Sequence, residues 1–188
     1  MRAVVAILVS LLLLSAAAPT TASGGPTAYS AESPHCASGP VTTDACWSHM
    51  TGTVEAVCEW GLCLLLLEGQ GTAGTSLPGA LSLTVGVRGI FHDGESEVSF
   101  RAPLCSTLAL AREVGCGYAT AIDLPAAPGT CAEFTLHAEA AGNGAAMASV
   151  AGSAFRLCLS DAGEPSLTPL WASSPGDADV SFAGALSG

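Results

Sequence analysis

The chain of 188 residues contains no lysine: its five basic side chains are all arginine, against 16 acidic ones, for a net charge of −11. Together with a high alanine and glycine content and the single Asn143, the missing lysine reads as the codon bias of a GC-rich genome. Without clustered lysine and arginine there is no basic stripe for nucleic acid or for anionic membrane surfaces, so phosphate-rich partners are disfavoured. Asn143 is followed by Gly144 and Ala145, so the N-glycan sequon is missing and N-glycan-dependent delivery to a lysosome is excluded. Aromatic residues make up 5% and charged residues 11%, while 49% are hydrophobic. No C-x-x-C redox motif, no G-x-S-x-G nucleophile elbow and no internal repeat occurs.

What is present begins with the apolar run AVVAILVSLLLLSAAA over residues 3–18, behind Arg2 and ahead of small and polar residues. That composition is an export signal, read over 1–22 with cleavage near Ala22 or Ser23, and the run is too short for a membrane anchor of about 20 apolar residues. The mature chain is therefore expected in an oxidising compartment, as a secreted protein with paired thiols. Residues 23–43 are rich in Ser, Gly, Pro and Thr and read as a flexible segment. Residues 161–188 have the same character and read as a flexible tail. One domain, over 44–160, lies between them.

Within that domain the hydrophobic period is two. Leu81, Leu83, Val85 and Val87 alternate with Ser82, Thr84, Gly86 and Arg88, and Phe134, Leu136 and Ala138 alternate with Glu133, Thr135, His137 and Glu139. Shorter alternations occur at Val98 and Phe100, at Ile122 and Leu124, and at Phe155, Leu157 and Leu159, while 54–58 and 62–67 read as extended. Turn formers separate them at His92-Asp93-Gly94, Pro125 to Gly129 and Gly142-Asn143-Gly144. The expected fold is all-β, an immunoglobulin-like antiparallel β-sandwich with several disulfides. Leu104 to Val114 stays open between a helix and a loop tied by Cys105 and Cys116. Four consecutive leucines, Leu64 to Leu67, cannot all face inward on a strand. Either both faces are covered, the preferred reading, or two leucines mark a contact surface.

Eight cysteines allow 105 pairings, so arithmetic alone leaves the connectivity open. Structural disulfides are preferred to zinc at Cys58-x4-Cys63, because no C-x2-C partner or H-x3-H exists, the four histidines are scattered and export favours disulfides. The order of the cysteines carries more. Cys46 precedes a short strand, Cys58-x4-Cys63 follows, Cys105 and Cys116 come farther on, then the Pro128-Gly129 turn and a last strand with Cys158. Over residues 44–160 this resembles the ML lipid-recognition domain, the family of secreted sterol-transfer proteins of the Niemann-Pick type, the ganglioside activator and group 2 mite allergens. The resemblance implies bonds from Cys46 to Cys158, Cys58 to Cys63 and Cys105 to Cys116, which leaves Cys36 and Cys131 to pair.

It also implies a lipid carrier, in which a sterol, fatty acid or phospholipid chain is held between two sheets and gains about 25 cal/mol for each Å² of apolar surface removed from water. The lining would be the inward residues Leu83, Val85, Val87, Phe100, Ile122, Leu124, Phe134, Leu136, Phe155 and Leu157; no cofactor or metal is implied. The alternative is a secreted β-sandwich that binds protein, a cytokine- or chemokine-binding decoy or an adhesion module, whose acidic surface would steer a basic extracellular partner. Where the apolar excess points separates the two. An enzyme is not expected: Ser76 sits in a turn sequence, Asp93, Glu95 and Glu97 read as a solvated hairpin rather than a paired-carboxylate or calcium site, and His137 reads as a surface residue beside Glu133 and Glu139.

Overall fold

A computed structural model describes residues 22–23, 25–38, 41–59, 62–93, 96–125, 127–142 and 147–173. Among these residues there are twelve β-strands and no helix. The strands are β1 (Ala22–Ser23), β2 (Thr27–Ser33), β3 (Cys36–Ser38), β4 (Val41–Thr43), β5 (Cys46–Glu59), β6 (Leu62–Thr75), β7 (Leu81–Asp93), β8 (Ser96–Ala109), β9 (Glu113–Pro125), β10 (Cys131–Gly142), β11 (Met147–Leu159) and β12 (Pro165–Ala172). They form an antiparallel β-sandwich. Its five-stranded sheet runs β1-β5-β6-β9, with β2 also on β5; its seven-stranded sheet runs β4-β3-β11-β10-β7-β8, with β12 also on β11.

The alternation in the sequence sorts side chains between core and solvent, since successive residues of a strand point to opposite faces. Leu81, Leu83, Val85 and Val87 of β7 meet Ala132, Phe134, Leu136 and Ala138 of β10 and Phe155 and Leu157 of β11 in one buried cluster. From the other sheet Met50, Val54, Leu65, Leu67 and Leu124 close onto them. Ser48 of β5 and Ser149 of β11 link the two layers through their buried hydroxyls, 3.0 Å apart.

Three expectations change here. The segment 23–43 supplies β2, β3 and β4, and β2 sends Tyr29 and Ala31 into the core. The tail supplies β12, which pairs with β11 from Ser153 to Leu159. Apart from Ala22, the export signal lies outside the described residues, as does the tail beyond Ser173. Leu104 to Val114 is neither helix nor loop but the end of β8, a bend at 110–112 and the start of β9. The cross-strand pairs Leu83 with Thr107 and Ala73 with Val114 hold it extended. Pro103, which lacks an N–H, is tolerated because β8 is an edge strand, and it sits at a register shift opposite Val85 and Gly86. The Pro128-Gly129 turn forms as read, with Gly129 at φ 77°, a conformation that favours glycine.

The disulfides are Cys36–Cys46, Cys58–Cys63, Cys105–Cys116 and Cys131–Cys158. The expected bonds Cys58 to Cys63 and Cys105 to Cys116 are formed. Cys46 to Cys158 and Cys36 to Cys131 are not, because β10 and β11 are a hairpin that sets Cys131 directly opposite Cys158. Two bonds thus lie within a sheet, Cys58–Cys63 across β5 and β6 and Cys131–Cys158 across β10 and β11. The other two join the sheets, β3 to β5 through Cys36–Cys46 and β8 to β9 through Cys105–Cys116. Four structural disulfides are characteristic of an oxidising compartment.

Candidate functional site

The ten residues expected to line a ligand slot do come together, but on one another. Eight are buried in the core cluster, while Phe100 and Ile122 are partly buried and pack against it. Phe134 and Phe155 stack with centroids 5.5 Å apart, and Tyr29 meets Phe155 edge-on at 6.1 Å. Two open concavities lie at the surface, one of them reaching Phe155. A notch of about 230 Å³ in the seam between β2 and β12 touches Phe155, Trp171 and Tyr29. A broad saddle of about 760 Å³ on the five-stranded sheet is lined by Thr51, Thr53, Glu68, Gln70, Gly117 and Ala119, among others.

The saddle sits over an arrangement that the sequence did not disclose. In register across the five-stranded sheet stand Tyr29 of β2, Gly52 of β5, Gly69 of β6 and Tyr118 of β9. The two glycines leave room on the inner face for the rings reaching in from opposite edges, and the phenol hydroxyls hydrogen-bond to each other above them. Burial pushes both phenols above the ordinary tyrosine range; for Tyr29 the bond to Tyr118 pushes further in the same direction. These are the only two tyrosines of the chain. Ultraviolet titration is therefore expected to show no phenolate while the protein stays folded. A raised phenol pKa stabilises the fold below the unfolded value of about 10 and ceases to do so as pH rises above it, so both phenols should ionise together with unfolding. A folded protein showing a phenolate signal at pH 10 would contradict the paired burial.

On the outward side of β6 the leucine run resolves into two sets. Leu65 and Leu67 are buried, whereas Leu62, Leu64 and Leu66 are 60%, 39% and 38% exposed. The preferred expectation of cover on both faces is thereby corrected, because no described strand lies over that side. In cross-strand rows Leu64 lies between Val57 and Asp123, and Leu66 between Glu55 and Ala121. Farther along the same face the Trp47 indole lies over Gly74.

The seven-stranded sheet has a different outer face. His137 points outward as the alternation predicts, yet it is only 8% exposed, correcting its reading as a surface residue. It stands in register between Gly86 and Gly152, two residues without side chains, and its ring edge lies against Gly86. Nδ1 has no hydrogen-bond partner among the described residues. Burial lowers the imidazole pKa to about 4, and the nearby Arg88 and Arg101 guanidiniums add to that, outweighing the Thr135 backbone. The neutral ring therefore favours folding above pH 6.5, and that contribution is lost as pH falls toward 4. The loss amounts to about 3 kcal/mol by pH 4. Urea unfolding at pH 7 and pH 4 should show His137→Gln losing less stability on acidification than the parent, and equal losses would refute the buried neutral ring. Farther along the same face, Arg156 pairs with Glu133 at an exposed position.

The remaining sequence candidates do not assemble. Ser76 donates its hydroxyl to the Ala45 carbonyl at 3.2 Å. Asp93 and Glu97 flank the β7–β8 hairpin, Glu95 lies outside the described residues, and no group of three metal-ligating side chains occurs among those described. Compared with known proteins, the chain matches no family model, no curated protein and no solved structure.

Proposed function

We propose that the protein is a secreted β-sandwich that binds another protein on the outer face of its five-stranded sheet. The observation that carries this reading is the outward row of Leu62, Leu64 and Leu66, left exposed on a strand whose inward leucines are fully buried. Contiguous exposed apolar side chains with a polar rim are characteristic of interaction sites. Full burial of one leucine is worth about 1.5–3 kcal/mol, so covering what remains exposed of three supplies on the order of a few kcal/mol toward docking.

The packing of the ten inward residues supports this reading over a sterol or acyl chain held between the sheets. Their side chains already occupy one another's contact surfaces, and a ligand there would have to force open layers that Cys36–Cys46 and Cys105–Cys116 join. Native mass spectrometry of the purified, oxidised protein, with lipid extraction, tests the choice. The expected result is an empty protein that takes up no sterol, fatty acid or phospholipid from vesicles. Recovery of a stoichiometric lipid would overturn the docking reading in favour of a carrier.

A further inference from the structure

We infer that the partner on this face is cationic: a protein that presents arginine or lysine side chains around an apolar tip, seated against the leucine row and the adjoining saddle. The inference rests on the docking reading and adds the chemistry of the partner. Its basis is how charge is divided between the two sheets. Strands β2, β5, β6 and β9 contain no arginine, yet they carry Glu32, Glu55, Glu59, Glu68, Glu113 and Asp123. Of the arginines among the described residues, Arg88, Arg101 and Arg156 lie on β7, β8 and β11 of the other sheet, and Arg112 lies in the bend between β8 and β9. The seven-stranded sheet carries Asp93, Glu97, Glu133 and Glu139 against its three arginines, so net negative charge is greater on the five-stranded layer.

Register places four of those carboxylates around the apolar row, while Glu32, opposite His49, and Glu113, opposite Gly74, lie farther along the same sheet. Glu59 is paired across from Leu62, Glu55 from Leu66 and Asp123 from Leu64, while Glu68 follows on β6 at the edge of the saddle. The saddle itself offers the Thr51 and Thr53 hydroxyls and the Gln70 amide, groups that pair with the N–H donors of a guanidinium or ammonium rim. On β9 the outward positions Gly115, Gly117, Ala119 and Ala121 carry nothing beyond Cβ, so a partner's side chains can reach the sheet backbone without displacing anything. Apolar contact at the centre with opposite charge at the rim is the arrangement in which electrostatics steers encounter and selects the partner. An anionic partner would meet the carboxylates of Glu55, Glu59, Glu68 and Asp123, on strands that contain no arginine.

A 12-residue peptide alternating arginine and leucine is the probe, compared with a glutamate–leucine peptide of the same length and titrated into the full, oxidised protein at low and at moderate salt. The arginine–leucine peptide should bind, and binding should weaken at least tenfold in L64S/L66S and again in E68Q/D123N. R101Q, on the opposite sheet, should bind like the parent. Raising the salt should weaken binding mainly through slower association. Near-ultraviolet circular dichroism checks that each variant is folded; the substituted positions are solvent-exposed, so the fold should survive. If the glutamate–leucine peptide binds as well, and L64S/L66S still abolishes it, the cationic partner is overturned while the docking face stands. If L64S/L66S binds either peptide like the parent, the docking face itself is overturned.

Discussion

Gly69→Ala is expected to lower stability by about 4 kcal/mol and the melting temperature by roughly 10 °C, although it adds a single methyl group. A Cβ at this position would stand 2.7 Å from the Tyr118 hydroxyl and 2.8 Å from the Tyr29 hydroxyl, and closer still to the Thr51 backbone carbonyl. The first two neighbours could move only by separating the phenols, leaving two buried hydroxyls without their partner at a cost of about 1–3 kcal/mol. The third is backbone in the middle of a sheet and moves only with its strand, which adds the usual 1–3 kcal/mol of overpacking. Gly142→Ala supplies the control, since no atom of the described residues lies within 4 Å of a Cβ there. That substitution should change stability by no more than about 0.5 kcal/mol. Thermal and urea unfolding of the oxidised variants decide the matter: a Gly69→Ala protein within 1 kcal/mol of its parent would mean that the two rings do not meet over the glycine row.

Phe155→Ala should cost about 4 kcal/mol, within the 3–5 kcal/mol usual for deleting a buried phenylalanine ring. Phe155 is completely buried, stacks on Phe134 and meets Tyr29 edge-on. Its deletion removes both aromatic contacts, each worth about 0.5–1.5 kcal/mol beyond area burial, and leaves a cavity between sheets tethered to one another. A ring that lined a ligand slot would behave differently in the empty protein. One of its faces would already lack partners, and truncation would cost correspondingly little. A measured loss below about 1.5 kcal/mol would therefore count against the filled core and for a slot, whereas a loss near 4 kcal/mol favours a sandwich that works from its outer surface.

The all-β architecture was legible because the alternation in β7 and β10 is long and regular, and because the turn at Pro128-Gly129 falls where the chain reverses ahead of β10. Strands β2 and β12 were hidden for a physical reason. Each is an outer strand that buries few side chains, so its Ser, Thr and Pro content looks like linker until the core beneath it is seen. The leucine run shows the limit of periodicity. Period two divides Leu64 and Leu66 from Leu65 and Leu67, but whether the outward pair is covered depends on whether another layer lies above it. His137 repeats the lesson from the opposite side, since its outward direction is local whereas its burial comes from Gly86 and Gly152 on neighbouring strands. The resemblance to a lipid-recognition domain supplied two bonds that form. The partners of Cys46 and Cys158 depended on which strands become hairpin neighbours, which spacing does not determine. The ten candidate lining residues were correctly read as inward, but inward does not distinguish a slot from a packed core.

Every cysteine is bonded to its neighbour along the chain: Cys36 to Cys46, Cys58 to Cys63, Cys105 to Cys116 and Cys131 to Cys158. A polypeptide delivered N-terminus first into an oxidising compartment can close such bonds in order of arrival, each thiol taking the first partner to emerge, and none has to be undone by an isomerase. The same order has a mechanical corollary. No disulfide spans the exposed turn at Ser76 to Gly79, so one proteolytic nick there yields two fragments, each carrying two bonds of its own. Only strand pairing and the shared core would hold the halves together, and denaturant alone, with no reductant, should separate them.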